Sequence, residues 1–180
     1  PMASACGRFV ITYNGEVYNF LELRQDLESR GYLFRGHSDT EVVLEAIAEW
    51  GIESALQRLN GMYAFALWDR ESRTLTLARD RAGKKPLYYG WCGRTFLFGS
   101  ELKALRAHPD FQGDLDSDAL GLFIQYSWIP APFSIFRKVR KLEAGSFLTI
   151  APSGPGASAS PRLYWSARDV IERAERERFA

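Results

Sequence analysis

Residues 62–68, Met-Tyr-Ala-Phe-Ala-Leu-Trp, are apolar without alternation. A strand with one face in water alternates apolar and polar side chains, so an unbroken apolar run of this length reads as a strand covered on both faces. Asp69, Arg70, Glu71 and Ser72 then supply a polar turn, and residues 74–79 read as the returning strand of a central hairpin. Whatever else the chain builds must lie on the two sides of that hairpin.

The rest of the chain offers both strands and helices. Residues 9–13, β-branched and aromatic, are predicted to form a buried strand ending at Asn14-Gly15. A helix follows, with Asn19 as its N-cap, Glu22 three residues on, and Phe20, Leu23 and Leu27 at helical spacing until Gly31. Residues 32–35 read as a short strand. A second helix runs from Thr40 to Trp50 and stops at Gly51, and a shorter one spans 53–59. Residues 87–89 and 95–98 form a second hairpin around Cys92-Gly93-Arg94, with short helices at 101–106 and 118–126 and a strand at 147–150. Residues 152–161, nearly all small or proline, read as a flexible loop or linker. The Arg/Glu-rich tail at 167–179 reads as an exposed helix. This is an α+β pattern; two face-to-face sheets with helices outside fit it, and so does an ordinary α+β sandwich.

Composition narrows function by exclusion. With 180 residues, 46% of them hydrophobic, the chain buries roughly 70% of its unfolded surface and supports one core. Lys and Arg at 23 against Asp and Glu at 22 leave a net charge of +1, which gives no pull toward nucleic acid or an anionic membrane. The longest apolar run is far short of the ~20 residues of a membrane span. Cys6 and Cys92, with His37 and His108, have neither disulfide-framework nor metal-ligand spacing, so no metal site is expected.

Two short motifs carry the chemistry. Asn14-Gly15, read alone, is a hairpin turn. Placed between a strand and a helix, it offers an Asn amide and a Gly N–H together to a developing oxyanion. Ser38-Asp39-Thr40-Glu41 is a capping box in sequence, Ser38 at N-cap and Glu41 at N3. Asp39 is not needed by the cap and suits a ligand ammonium, although a surface Asp that complements the helix dipole needs no ligand. Glu16 adjoins the first motif. The basic stretch 79–86 contains Gly83-Lys84 but lacks the spacing of a phosphate-binding loop.

These motifs, with Gly61-Met62-Tyr63-Ala64-Phe65-Ala66, Arg79-Asp80-Arg81 and the Lys85-Pro86-Leu87-Tyr88-Tyr89 block, resemble the glutamine-hydrolysing domain of class II amidotransferases. Residues 98–105, Ile129-Pro130-Ala131-Pro132 and Lys141-Leu142-Glu143-Ala144-Gly145 follow in the order of the asparagine synthetases. The resemblance implies a four-layer αββα sandwich of the N-terminal-nucleophile hydrolase type, with Asn14 and Gly15 as the oxyanion hole. It makes Asp39 the anchor of the glutamine α-amino group and puts Glu16 at the edge of the pocket. It implies L-glutamine as ligand, a cytoplasmic location and a possible homodimer. A synthetase domain that uses aspartate, ATP and Mg is implied as partner, while no cofactor is expected in these residues. The family's Ser-Gly-Gly-x-Asp-Ser loop has no match; Ser153-Gly154-Pro155-Gly156 lacks the Asp and the second Ser.

The same resemblance exposes a gap. Its nucleophile is a cysteine at the very start of the mature chain, whereas this sequence opens Pro1-Met2-Ala3-Ser4-Ala5-Cys6. Such a cysteine uses its own α-amine as base, which Cys6 lacks, so neither cysteine is assigned a catalytic role. The expectation is a domain over residues 1–150 that is incomplete at its N-terminus, a linker over 151–161 and a connection over 162–180. Such a chain hydrolyses no glutamine by itself. The alternatives are a non-catalytic glutamine-binding or assembly module and the glutaminase domain of another class II amidotransferase.

Overall fold

The computed structural model describes residues 1–151 and 160–178. The apolar run lies in the middle of its larger sheet. Strand β1 (Met2–Ala3) lies beside β2 (Phe9–Val17), and two helices follow, α1 (Phe20–Ser29) and α2 (Asp39–Arg58). The central hairpin is β3 (Gly61–Asp69) and β4 (Thr74–Arg79), and a second hairpin is β5 (Tyr88–Cys92) and β6 (Thr95–Gly99). Helices α3 (Leu102–Arg106) and α4 (Ser117–Tyr126), strands β7 (Arg140–Lys141), β8 (Ser146–Ile150) and β9 (Arg162–Leu163), and helix α5 (Ala167–Arg178) complete the order. The larger sheet runs β1-β2-β3-β4-β8-β9 and the smaller β6-β5-β7; every pairing is antiparallel.

Among the described residues, three apolar cores lie in sequence across the layers. On one face of the larger sheet, Ile11, Val17, Tyr63, Phe65 and Leu67 pack with Leu23 and Leu27 of α1 and with Val43, Ala46 and Ile47 of α2. From its opposite face Ala64, Ala66, Leu77 and Leu148 meet Leu87, just ahead of β5, and Tyr89 of the smaller sheet, with Trp91, Phe96 and Phe98 packed against them. Beyond the smaller sheet Leu105, Phe136 and Val139 form a third core, with Tyr88 and Leu97 at its border. Both faces of β3 are thus covered, which is why its residues do not alternate.

The structure corrects several expectations. Asn14 and Gly15 do not end their strand: β2 continues to Val17, paired residue for residue with β3 from Phe9 opposite Asp69 to Val17 opposite Gly61. Nine cross-strand pairs outweigh a local turn dipeptide, and Gly15 has no positive φ. Residues 32–35 form no strand, because the Arg35 and Gly36 N–H groups donate to Glu41 rather than to a ladder. Asn19 sits at the N-cap of α1 without capping it. Its amide instead donates to Arg58 O and accepts from Asn60 N–H, tying α1 to the end of α2. Tyr18, the residue after β2, is exposed. Cys92 ends β5 fully buried rather than sitting in the hairpin loop, which turns at Gly93 with φ +62°. Helix α2 joins the two expected helices through Gly51, whose φ of 74° breaks the helical geometry between them. Of the expected linker, residues 152–159 lie outside the described residues. Among the described residues no helix is long and apolar enough to cross a membrane.

Candidate active site

Which way the backbone of β2 points follows from hydrogen bonds at its two ends. On the side of β3, Arg8 O accepts from Arg70 N–H and Tyr18 N–H donates to Asn60 O. On the opposite side, Phe9 O accepts from Ser4 N–H at 2.9 Å, and Val17 N–H donates to Asp39 Oδ2 at 3.0 Å. Peptide groups alternate along an antiparallel strand. The even-numbered residues therefore bond to β3, and the N–H and C=O of Tyr13, Gly15 and Val17 face the other edge. Beyond Ile11 that edge has no strand partner among the described residues, since β1 pairs only with Val10 and Ile11.

Asp39 is fixed on this edge. It is the first residue of α2, and Ser38 caps the helix by accepting Thr40 N–H. The capping box does not close, because Glu41 turns back to Arg35 and Gly36. Asp39 Oδ2 accepts from the Tyr13 hydroxyl at 2.9 Å as well as from Val17 N–H. Burial, reinforced by the bond to Asp39, pushes the Tyr13 hydroxyl far above the ordinary tyrosine range, so it keeps the proton that it donates to Asp39. Oδ1 of Asp39 has only a long 3.4 Å contact with Thr40 Oγ1. A carboxylate oriented through one oxygen, with the other making only that long contact, can accept an ammonium.

Gly15 lies two residues from Val17 on the same edge. A β-carbon there would stand 2.3 Å from Met62 O and 2.6 Å from Tyr63 Cα. Gly61 is the reciprocal case, 2.2 Å from Glu16 O. The two glycines let β2 and β3 approach closely at this end of the sheet; Gly61 enters the sequence reading as the start of a family block, without this packing role. Asn14 projects to the other face of β2, where its Nδ2 donates to Ser100 Oγ at 3.0 Å. There a crevice of about 220 Å³ opens between the sheets, lined by Thr12, Asn14, Ala64, Phe98 and Ser100 among others. Glu16 is exposed and, by the alternation of side chains, shares the face of Asn14. The structure thus brings Gly15 N–H and Asp39 to one edge, with Asn14 and Glu16 on the adjoining face. Tyr13 and Ser100 join this group; Tyr13 lies in no motif read from sequence, and Ser100 falls in the block 98–105 with no site role marked there. Cys6 is exposed, 3.2 Å from Ser4 Oγ in the turn before β2.

A model of the glutamine amidotransferase domain matches residues 1–165. The chain belongs to that family. Asparagine synthetase (glutamine-hydrolysing) 3 of Bacillus subtilis is 41% identical to this amidotransferase domain over 147 residues, which are 81% of the chain and 24% of the relative. Asparagine synthetase 1 of the same organism is 39% identical over 155 residues, 86% of the chain and 24% of the relative. A putative asparagine synthetase 2 of Methanocaldococcus jannaschii is 38% identical over 139 residues, 75% and 26% respectively. The chain spans about a quarter of the length of these relatives. Among solved structures, the fold matches glutamine phosphoribosylpyrophosphate amidotransferase from B. subtilis at TM-score 0.63 and 24% identity, over 91% of this chain and 31% of that one. The domain is a mixed α+β fold shared with that enzyme.

Proposed function

We propose that this amidotransferase domain is the glutamine-binding and glutamine-hydrolysing portion of an asparagine synthetase. Its ammonia goes to an ATP- and Mg-dependent amidation of aspartate carried out by the part of the relatives that lies outside the match. The observation that carries the reading is the shared edge of β2, where the Gly15 N–H lies two residues from the Val17 N–H that orients the Asp39 carboxylate. In this reading Asp39 Oδ1 accepts the glutamine α-ammonium. The Gly15 N–H and the Asn14 amide face the side-chain carbonyl, where negative charge develops during attack. Glu16 borders the pocket. The order of the three cores supports a four-layer αββα sandwich of the N-terminal-nucleophile type.

This domain is expected to bind glutamine, and Cys6, which has five residues ahead of it and so lacks a free α-amine as base, is expected to release no ammonia from it. Titration calorimetry with L-glutamine and with D-glutamine tests the first half. Binding selective for the L form, weakened roughly tenfold or more in Asp39→Ala, supports the reading, since a hydrogen bond to a charged group contributes about 1.5–3 kcal/mol. Unchanged affinity in Asp39→Ala, or none for glutamine at all, sinks it. An ammonia assay with Cys6→Ala as control tests the second half; turnover that disappears with Cys6 would reassign the nucleophile.

A further inference from the structure

Strand β4 stops pairing with β3 at Arg79 opposite Ala64, one residue before the level of Gly15 and Tyr63. The next residue takes over by other means. Asp80 N–H donates to Tyr63 O at 2.9 Å, and Asp80 Oδ2 accepts from Tyr63 N–H at 3.2 Å. A side-chain carboxylate thus replaces the carbonyl of a strand neighbour and holds both backbone groups of the residue directly opposite Gly15. The same carboxylate accepts from Ala82, Lys84 and Lys85 N–H at 3.1, 2.9 and 2.9 Å. Asp80 is only 1% exposed, and its four backbone donors account for both oxygens. Around it, Arg79 donates to Gly83 O, Lys85 O and Leu142 O. Tyr164 OH, which also meets Tyr63 OH, donates to Arg79 O.

We propose that Asp80 is a positioning residue for the Gly15 N–H: by clasping Tyr63 in place of a missing strand residue, it fixes the peptide plane against which Gly15 is pressed. The inference rests on the reading of Gly15 as the donor to the glutamine side-chain carbonyl. The contact is steric as well as hydrogen-bonded. Met62 O and Tyr63 Cα lie where any β-carbon of Gly15 would stand, so a shift of Tyr63 is transmitted to Gly15 directly. Without the clasp, the Tyr63 end of β3 loses its bonds on the β4 side, and the donor loses its fixed direction. A preorganised donor acts through that direction, which must be set before the charge develops. Because Ala82, Lys84 and Lys85 end on the same carboxylate, the partly exposed loop at 81–85 is coupled to the same peptide.

The test is the response of two backbone amides to L-glutamine in ¹⁵N-labelled protein. Val17 N–H, bonded to Asp39, reports on the anchor, and Gly15 N–H reports on the donor. In the wild type both resonances are expected to shift on addition of glutamine. In Asp80→Asn, which places an NH2 group among N–H donors, the Val17 shift is expected to persist and the Gly15 shift to be lost. Tyr164→Phe removes a hydroxyl from the same network without touching the clasp, and should keep both shifts whatever its melting temperature. Both shifts retained in Asp80→Asn, or the Gly15 shift lost equally in Tyr164→Phe, overturns the inference while leaving the glutamine reading intact. Neither resonance moving in the wild type overturns both. Should Asp80→Asn not fold, wild-type amide exchange decides. Tyr63, Lys84 and Lys85 amides must then open with one shared free energy, and three separate values overturn the inference.

Discussion

At the scale of single residues, the site is built from groups whose neighbours leave them no alternative. Gly15 is glycine because β3 occupies the space of a β-carbon. Gly15→Ala is expected to cost about 1–3 kcal/mol, as overpacking generally does, measured by urea denaturation; a loss below the error of the method would mean that β3 can retreat. Tyr13→Phe removes one of the two donors to Asp39 Oδ2 and is expected to cost about 1 kcal/mol. It should also weaken glutamine binding less than Asp39→Ala does, since Val17 still orients the carboxylate. Equal losses in calorimetry would mean that the hydroxyl contacts ligand itself. The motifs were legible as residues: Asn14, Gly15 and Asp39 can be picked out from their types and spacing. Their geometry was not, because the partners that orient them, Tyr63 and Tyr13, become neighbours only through pairing and packing.

At the scale of elements, short-range signals succeeded at Gly51 and Ser38 and missed at Asn19 and Glu41, whose side chains bond to other segments. Gly51 ended the first half of α2 as its position suggested, and Ser38 caps the helix. Ser38→Ala is expected to lower stability by about 1 kcal/mol, read as a shift in the denaturation midpoint without a change in slope. Gly51 has open space at its β-carbon but a φ of 74°, so Gly51→Ala is expected to cost roughly 1–2 kcal/mol through backbone strain alone. Gly51→Asn, better tolerated in left-handed conformations, should recover part of it; an Ala variant as stable as wild type would show that the two helices can merge. The reading failed at Asn14-Gly15 and at residues 32–35 for one shared reason. A strand is a property of two segments, and the partner that extends β2, or the carboxylate that diverts Arg35 and Gly36, lies elsewhere in the sequence. The strand pairs β1 with β2 and β8 with β9 are equally invisible from sequence, each resting on two-residue strands.

At the scale of the whole molecule, the layered α+β order followed from the unbroken apolar run and the flanking helices, and the pH dependence follows from a few buried or paired groups. Arg8 bonds Asp69 at 2.7 Å and 2.9 Å and, with Ser72 and nearby backbone N–H groups, holds its carboxyl well below the usual carboxylate range. A depressed folded-state value contributes stability that is present above about pH 4, where the unfolded carboxylate ionises, and is lost as pH falls below that. Burial acts oppositely on the tyrosines, pushing Tyr164 up to about 12. Its contribution is complete below about pH 10 and is lost as pH rises through the alkaline range. Melting temperature is therefore expected to fall at both extremes, with a shallower acid limb in Asp69→Asn and a shallower alkaline limb in Tyr164→Phe; parallel limbs would remove these groups from the account. Helix α4 bears on the same molecule in solution. It buries only Ala119 and leaves Leu120, Phe123 and Ile124 exposed, Ile124 by 76%. A surface of that kind makes colloidal behaviour depend on concentration and salt more than on folding. Ammonium sulfate should precipitate the wild type well before a Phe123→Ser, Ile124→Ser variant of unchanged melting temperature, so that shelf life and foldedness become separate properties of one polypeptide.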